Sequence, residues 1–161
     1  NLTVYENPLI PRGVGSSPYT GDGMEKKRAS IIQNGVLQDY FIDVYNGRRL
    51  NMQPNALGTS NVVVNSGDQS VESILQSLPR SIRVEGFLGG NSNALTGDFS
   101  FGITGTLFEK GIAIQGVSEM NISGNIFELL HKYQTAANDV WTFGSYRTPS
   151  LLFDAVQFSG T

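Results

Sequence analysis

The segment TGDFSFGITGTLFEKGIAIQGV, from Thr96 to Val117, constrains the fold more than any other stretch of the chain. Large apolar residues alternate with small or polar ones over most of its length, the period-two pattern of a strand with unlike faces. Lys110-Gly111 interrupts the alternation and reads as the tight turn of a hairpin. The segment also holds five glycines. Glycine is depleted in strands because it loses the most backbone freedom and packs nothing. Gly97, Gly102 and Gly105 therefore mark bulges in a bent sheet or places where a second backbone comes close.

A first hairpin lies upstream. In ASIIQNGVLQDYFIDVY, Asn34-Gly35 supplies the two positive-φ residues of a type I′ turn. The preceding ENPLIPRGVGSSPYTGDG reads as an extended loop, with two X-Pro steps and a Gly, Ser and Asp cluster. VYNGRRLNM predicts a short helical turn ended by Pro54, and NVVVN a short β-branched strand. GDQSVESILQSLPR predicts a helix capped by Asp68 or Ser70, with Val71, Ile74, Leu75 and Leu78 on one face. SIRVEGFLGG reads as a strand entering a glycine loop. MNISGNIFELLHKYQTA starts a helix in which Asn125 and Glu128 form a capping box and Ile126, Leu129, Leu130 and Tyr133 share a face. A final strand, LLFDAVQF, follows a Gly- and Pro-containing loop. The sum is an α+β domain, mainly antiparallel sheet with hairpins and two or three packed helices.

The net charge of −3 offers no basic face for a phosphate backbone, so nucleic acid is not expected as a partner. Lys26-Lys27-Arg28 sits beside Asp22 and Glu25 and reads as a solvated flank. No apolar run approaches the roughly 20 residues that span a bilayer, and NLTVYENPLIPRG lacks the order of a signal peptide. No membrane association and a cytoplasmic location are the expectations. The strand-like start at LTVY reads as a cut inside a longer protein.

Catalytic chemistry is sparse. One histidine, His131, and no cysteine leave no close-spaced zinc ligands, and His131 reads as a partly buried structural residue. Serine catalysis has His131 as its one available base, and GDFSFG is not the nucleophile elbow G-x-S-x-G. Asp22, Glu85, Asp98 and Glu109 are candidates for a carboxylate pair doing acid and base work, and Asp98, between Gly97 and Phe99, either caps a bulge, the favoured reading, or points into a cleft. RGVGSSP and GFLGGNSN are weak phosphate-loop candidates without the flanking P-loop or dinucleotide spacing. Phe99, Phe101, Phe108, Trp141 and Tyr146 read as core or edge packing.

Taken together, the N-terminal run from ENPLIPRG to NGRRLNM, then NVVVNSGDQSVESILQSL, VEGFLGG, TGDFSFGITGTLFEKGIAIQGVSEMNISGNIFELL and GSYRTPSLLFDAVQFSG resemble the TldD/PmbA family over nearly the whole chain. The likeness is nearer to the PmbA branch, also called TldE, and covers the later part of the C-terminal domain only, without the N-terminal domain. The resemblance implies a cytoplasmic subunit of a metallopeptidase that processes small or unfolded peptides, a family also called modulators of DNA gyrase. It implies that zinc sits in a TldD-type partner, on two helical histidines and a late cysteine. The corresponding loop here, TFGSYRTPS, has no cysteine. No catalytic residue, metal ligand or cofactor is therefore expected in this chain, and whether it acts without a partner stays open. A TldD-type subunit and a peptide substrate are the implied partners, with self-association left open. Thr96, Gly97, Asp98, Phe99 and Ser100 are the candidates for the peptide channel, as an edge offering main-chain hydrogen bonds to an extended peptide. A stand-alone metallopeptidase with carboxylates and His131 as ligands, or a regulatory adaptor for a protein such as gyrase, are the alternatives.

Overall fold

The computed structural model describes residues 1–58 and 60–160. In chain order its elements begin with β1 (Val4–Glu6), β2 (Ala29–Gln33), β3 (Val36–Leu37), α1 (Val44–Leu50) and β4 (Val62–Val64). Then come α2 (Val71–Ser77), β5 (Ser81–Ser92), β6 (Asp98–Glu109), β7 (Ile112–Asn125) and α3 (Ile126–His131). β8 (Tyr133–Ala136), β9 (Tyr146–Arg147), β10 (Leu151–Phe153) and β11 (Phe158–Ser159) follow. Pairing is antiparallel throughout except between β4 and β9, so the α+β class read from the sequence holds. Among the described residues no helix is long and apolar enough to cross a membrane. The chain divides into two compact units, Asn1–Gly67 with Asp139–Ser150, and Asp68–Asn138 with Leu151–Thr161.

The first unit is built on a five-stranded sheet of order β3-β2-β1-β4-β9. Asn34 and Gly35 take φ of 51° and 81°, as the type I′ turn requires. The return strand is only two residues long, shorter than the sequence suggests. Beyond it Asn55 captures the chain, its Nδ2 donating to the Tyr40 carbonyl at 2.7 Å and to Asp39 Oδ1 at 2.9 Å. The segment is thereby turned out of the sheet and into α1. Asp43 caps that helix, accepting from the Asn46 N–H at 2.6 Å. Gly47 is buried inside it, and a Cβ there would lie 2.8 Å from Pro54 Cγ, so glycine lets the segment after the helix fold back upon it.

The interior of this unit is partly polar. Glu6 is fully buried, and its carboxylate accepts from the N–H groups of Gly58 at 2.9 Å and Ser60 at 3.2 Å. Asn61, also fully buried, accepts from the Gly15 N–H at 3.0 Å and donates to the Asn7 carbonyl and Ser16 Oγ, both at 2.9 Å. These bonds offset the cost of taking polar groups out of water. They also correct the reading of RGVGSSP as a phosphate loop. The Gly15 amide is spent on Asn61, and a Cβ at Gly15 would strike the Ser60 carbonyl.

The second unit carries a four-stranded sheet of order β11-β7-β6-β5 and a separate β10-β8 pair. Ile103, Leu107 and Val117 form its buried centre, with Ile82, Val84, Met120, Ile122 and Phe158 packed around them. Lys110 and Gly111 turn the chain with φ of 49° and 79°. Three boundaries differ from the sequence reading. GFLGGNSN is no loop, because β5 runs through it to Ser92 by means of bulges between Val84 and Gly86 and between Phe87 and Gly90. The third helix stops at His131, since Tyr133 pairs with Phe153 in the β10-β8 ladder instead of continuing the helical face. LLFDAVQF splits in two: Leu151–Phe153 joins β8 and Phe158–Ser159 joins β7. The break falls where Ala155 takes φ of 47° and Lys132 brackets it, donating Nζ to the Ala155 carbonyl at 2.9 Å.

Candidate functional site

Thr96 to Ser100 lie where the β5–β6 turn meets the start of α3. Asn93 opens the turn, its Oδ1 accepting from the Leu95 N–H at 2.9 Å in the manner of an Asx turn. The Gly97 N–H donates to the Asn93 carbonyl and the Asn93 N–H to the Asp98 carbonyl, each at 2.8 Å. Asn125 then lashes this turn to the helix. Its Oδ1 caps α3 by accepting from the Phe127 N–H at 3.0 Å, while Nδ2 donates to the Thr96 carbonyl at 2.8 Å and Asp98 Oδ1 at 2.9 Å. The Ile126 N–H reaches the Gly97 carbonyl at 2.8 Å, closing the node. Gly97 is required there twice over. Its φ is +81°, and a Cβ would come within 2.9 Å of the Phe127 ring.

Asp98 is the charged member of the node. Hydrogen bonds from Asn125 and then Thr96 hold its carboxyl below the ordinary value of 3.8, against slight desolvation. Both of its oxygens are engaged, Oδ2 accepting from Thr96 Oγ1 at 2.7 Å. A general acid needs the opposite shift, so Asp98 acts as a fixed anionic clamp. The other carboxylates do not join it. Glu109 stands at the far end of the 12-residue β6, and Glu85 sits on a β5 bulge, where Thr106 Oγ1 reaches it at 3.5 Å. Asp22 belongs to the first unit and accepts from the Val44 N–H at 3.3 Å.

β6 is an interior strand of its sheet, which corrects the expectation of a free main-chain edge. Phe99 and Ser100 are paired on one side with Ser92 and Asn91 of β5, and on the other with Gly124 and Ser123 of β7. Asp98 pairs with Asn125. What this region offers a ligand is side chains. Leu95 is 95% exposed at the turn and Phe127 62% exposed on α3, with Ile126 beside them. Phe99 stacks on Phe101 at 6.1 Å, and Phe101 meets Phe87 edge-on at 5.6 Å. Trp141 and Tyr146, read from the sequence as core or edge packing, are exposed, and Trp141 pairs with Phe143 at 5.1 Å.

His131 ends α3 as an exposed residue, contrary to the expectation of partial burial. Among the described residues no three His, Cys, Asp or Glu side chains gather in a group able to share an ion. Asn93 and Asn125 are the site residues the sequence reading passed over, Asn125 having been seen only as a cap. For Asn93 the available signal was an Asn at the end of the stretch read as a glycine loop, since an Asn side chain turns the chain by bonding the backbone two residues on.

The family model for the PmbA/TldA metallopeptidase C-terminal domain matches residues 1–160. A metalloprotease PmbA homolog of Buchnera aphidicola subsp. Acyrthosiphon pisum is 30% identical over 161 residues, covering 99% of this chain and 36% of that protein. Metalloprotease PmbA of Escherichia coli O157:H7 is 29% identical over 161 residues, with the same 99% and 36% coverage. A solved structure from Bacteroides thetaiotaomicron, named for modulation of DNA gyrase, matches with a TM-score of 0.95 at 39% identity, over 99% of this chain and 37% of that one. TldE from Thermococcus kodakarensis shares the fold, with a TM-score of 0.88 at 23% identity over 99% of this chain and 40% of that one. The chain thus spans 36% of the length of these two PmbA proteins.

Proposed function

The chain belongs to the PmbA/TldA metallopeptidase C-terminal domain family, and on that premise we propose that it is the C-terminal part of a PmbA/TldE-type subunit. In this reading the subunit pairs with a TldD-type subunit in the cytoplasm and walls the path of a small or unfolded peptide. The observation that carries the reading is the family match over residues 1–160 together with the likeness to the PmbA proteins, and the donor set of these residues accords with it. A metallopeptidase zinc wants His, Cys and carboxylate ligands converging on one point. This chain has one histidine, exposed, and no cysteine, and its described carboxylates do not converge. The residues present do not fit the metal, so no step of peptide cleavage is assigned to them. Their task is positional. The node of Thr96, Gly97, Asp98, Phe99 and Ser100 with Asn125 holds Leu95, Ile126 and Phe127 outward as an apolar wall that accepts varied side chains.

The test is made with the full-length protein, alone and with a TldD-type subunit. The pair is expected to hold zinc and cleave a short unstructured peptide, and this subunit alone to do neither. Gly102→Val, whose Cβ would sit 3.4 Å from Leu88 Cβ on the aromatic strand, is expected to lower cleavage while the two subunits still co-elute. Stoichiometric zinc retained by this subunit alone, bound through His131, refutes the reading. The likeness to a protein named for modulation of DNA gyrase favours a second reading, a regulatory adaptor. Pull-down of a gyrase subunit by the Gly102→Val protein, with no peptide cleavage by the pair in any form, would support it.

A further inference from the structure

The first unit holds an open cavity of about 480 Å³ alongside α1, lined by Asp22, by Val44 and Tyr45 of its first turn and by Arg48 and Arg49 of its last. A second concavity of about 370 Å³ shares Val44 and Arg48 with it and continues along Asn51, Met52 and Pro54. Basic residues suit a helix C-terminus, where the exposed carbonyls concentrate negative charge, and that alone would account for two solvated arginines. The surroundings here add more. Asp22 lines the same cavity, yet its Oδ2 accepts from the Val44 N–H at 3.3 Å. Asp43 is spent on the Asn46 N–H. Among the described residues Lys27 pairs with Glu25, and neither Arg48 nor Arg49 meets a carboxylate. Arg49 lies over the Tyr45 ring with 5.7 Å to its centroid, and that ring is 65% exposed. Two planar forks of N–H donors thus face one concavity beside an open aromatic surface.

The charge of the lining selects the ligand. Arg48 and Arg49 against Asp22 leave one net positive charge, which a carboxylate neutralises and a phosphate dianion overshoots. Carboxylate and phosphate both match the guanidinium fork in a bidentate fashion, so the charge balance is what separates them. We propose that this cavity binds the carboxylate of a peptide, with the Tyr45 ring against the neighbouring apolar side chain. The assignment rests on the peptide reading above only for the source of the carboxylate, which is a free C-terminus or an acidic side chain.

The experiment is titration calorimetry on the full-length protein without a TldD-type subunit, so that binding here and cleavage by the pair are read separately. The probes are acetyl-Gly-Gly-Phe as free acid, the same peptide as its amide, acetyl-Gly-Glu-Phe amide, and inorganic phosphate. Binding of the free acid but not its amide assigns the C-terminus, and binding of the Glu-containing amide assigns an acidic side chain. Arg48→Gln and Arg49→Gln are each expected to weaken binding about tenfold, the lower end for hydrogen bonds to a charged group. Arg49→Lys should fall between, keeping charge without the fork. Arg28→Gln, whose guanidinium lies over Tyr5 instead, should change nothing. Affinity should fall as ionic strength rises. The proposal is overturned if the acetyl-Gly-Gly-Phe amide binds as tightly as the carboxylate probes, if no carboxylate probe binds, if both glutamine variants retain full affinity with unchanged circular dichroism, or if phosphate binds more tightly than either carboxylate.

Discussion

Replacing Asn125 by alanine tests the node that organises the candidate site. The side chain caps α3 through the Phe127 N–H at 3.0 Å and ties the β5–β6 turn down through the Thr96 carbonyl at 2.8 Å. Loss of an Asn cap costs about 1 kcal/mol. Loss of a neutral hydrogen bond costs about 1 kcal/mol more. The bond to Asp98 is left out of the sum, because that carboxylate is exposed and takes water in exchange. The expected destabilisation is therefore about 2 kcal/mol, measured by denaturant unfolding of the full-length protein. Asn125→Ser separates the parts, since a hydroxyl keeps the cap but does not reach Thr96, and about half the loss should return. Hydrogen exchange supplies an internal reference. The Phe127 amide depends on the Asn125 side chain, whereas the Ile126 amide donates to the Gly97 carbonyl at 2.8 Å. Asn125→Ala should expose Phe127 to exchange more than Ile126. A cost below about 0.5 kcal/mol, the range of unremarkable surface substitutions, would refute the reasoning. So would a serine variant no better than alanine.

Gly105→Ala should destabilise by about 1–3 kcal/mol, because its Cβ would collide with the Arg83 carbonyl oxygen across the ladder. Gly116→Ala on β7, where nothing lies within 4 Å of the new Cβ, is the control, and equal unfolding midpoints for the two variants would sink the argument. Asp98 should contribute to the acid limb of stability. Its folded pKa lies below the unfolded 3.8, so its contribution is present above 3.8 and lost as pH falls through the folded value. Asp98→Asn should flatten that limb in unfolding curves collected against pH, and an unchanged limb would place the carboxylate outside the hydrogen bonds described.

Local chemistry was legible in the sequence. Asn34-Gly35 and Lys110-Gly111 turn the chain because two consecutive residues tolerate positive φ, which no distant partner has to supply. Ser70 and Asn125 cap helices for equally local reasons, each accepting from an N–H two or three residues ahead. The misread element boundaries depend on partners remote in sequence. β5 continues through its glycines because β6 is there to pair with it, bulge by bulge. Tyr133 leaves the helical face because Phe153 takes it into a ladder. The candidate site follows the same rule. Thr96 to Ser100 stood out by composition, but their service as a tied-down turn depends on Asn125, 29 residues from Thr96, and their lack of a free edge depends on two other strands.

That interior position settles what the glycines in the strands accomplish. Gly105 lets β5 approach at a bulge, and Gly90 makes room for the Ser100 carbonyl and the Phe101 ring. Gly124 faces the Phe99 ring, whose Cζ would lie 3.6 Å from its Cβ. Side chains removed on β5 and β7 thus become floor for aromatic rings carried on β6, and Phe87, Phe101 and Phe99 form a row. A peptide adding to this sheet as a strand has to use the outer edge of β5, the two-residue β11, or the Ile112–Met120 stretch of β7 that β11 leaves unpaired. Both bulges of β5 break the even spacing of N–H and C=O groups along its edge, and bulged edges resist strand addition. Under the proposed peptide-channel role, recognition at the Thr96–Ser100 end would run through ring faces and apolar side chains, which discriminate little between peptide sequences because each contact is with shape and hydrophobicity instead of a fixed donor and acceptor.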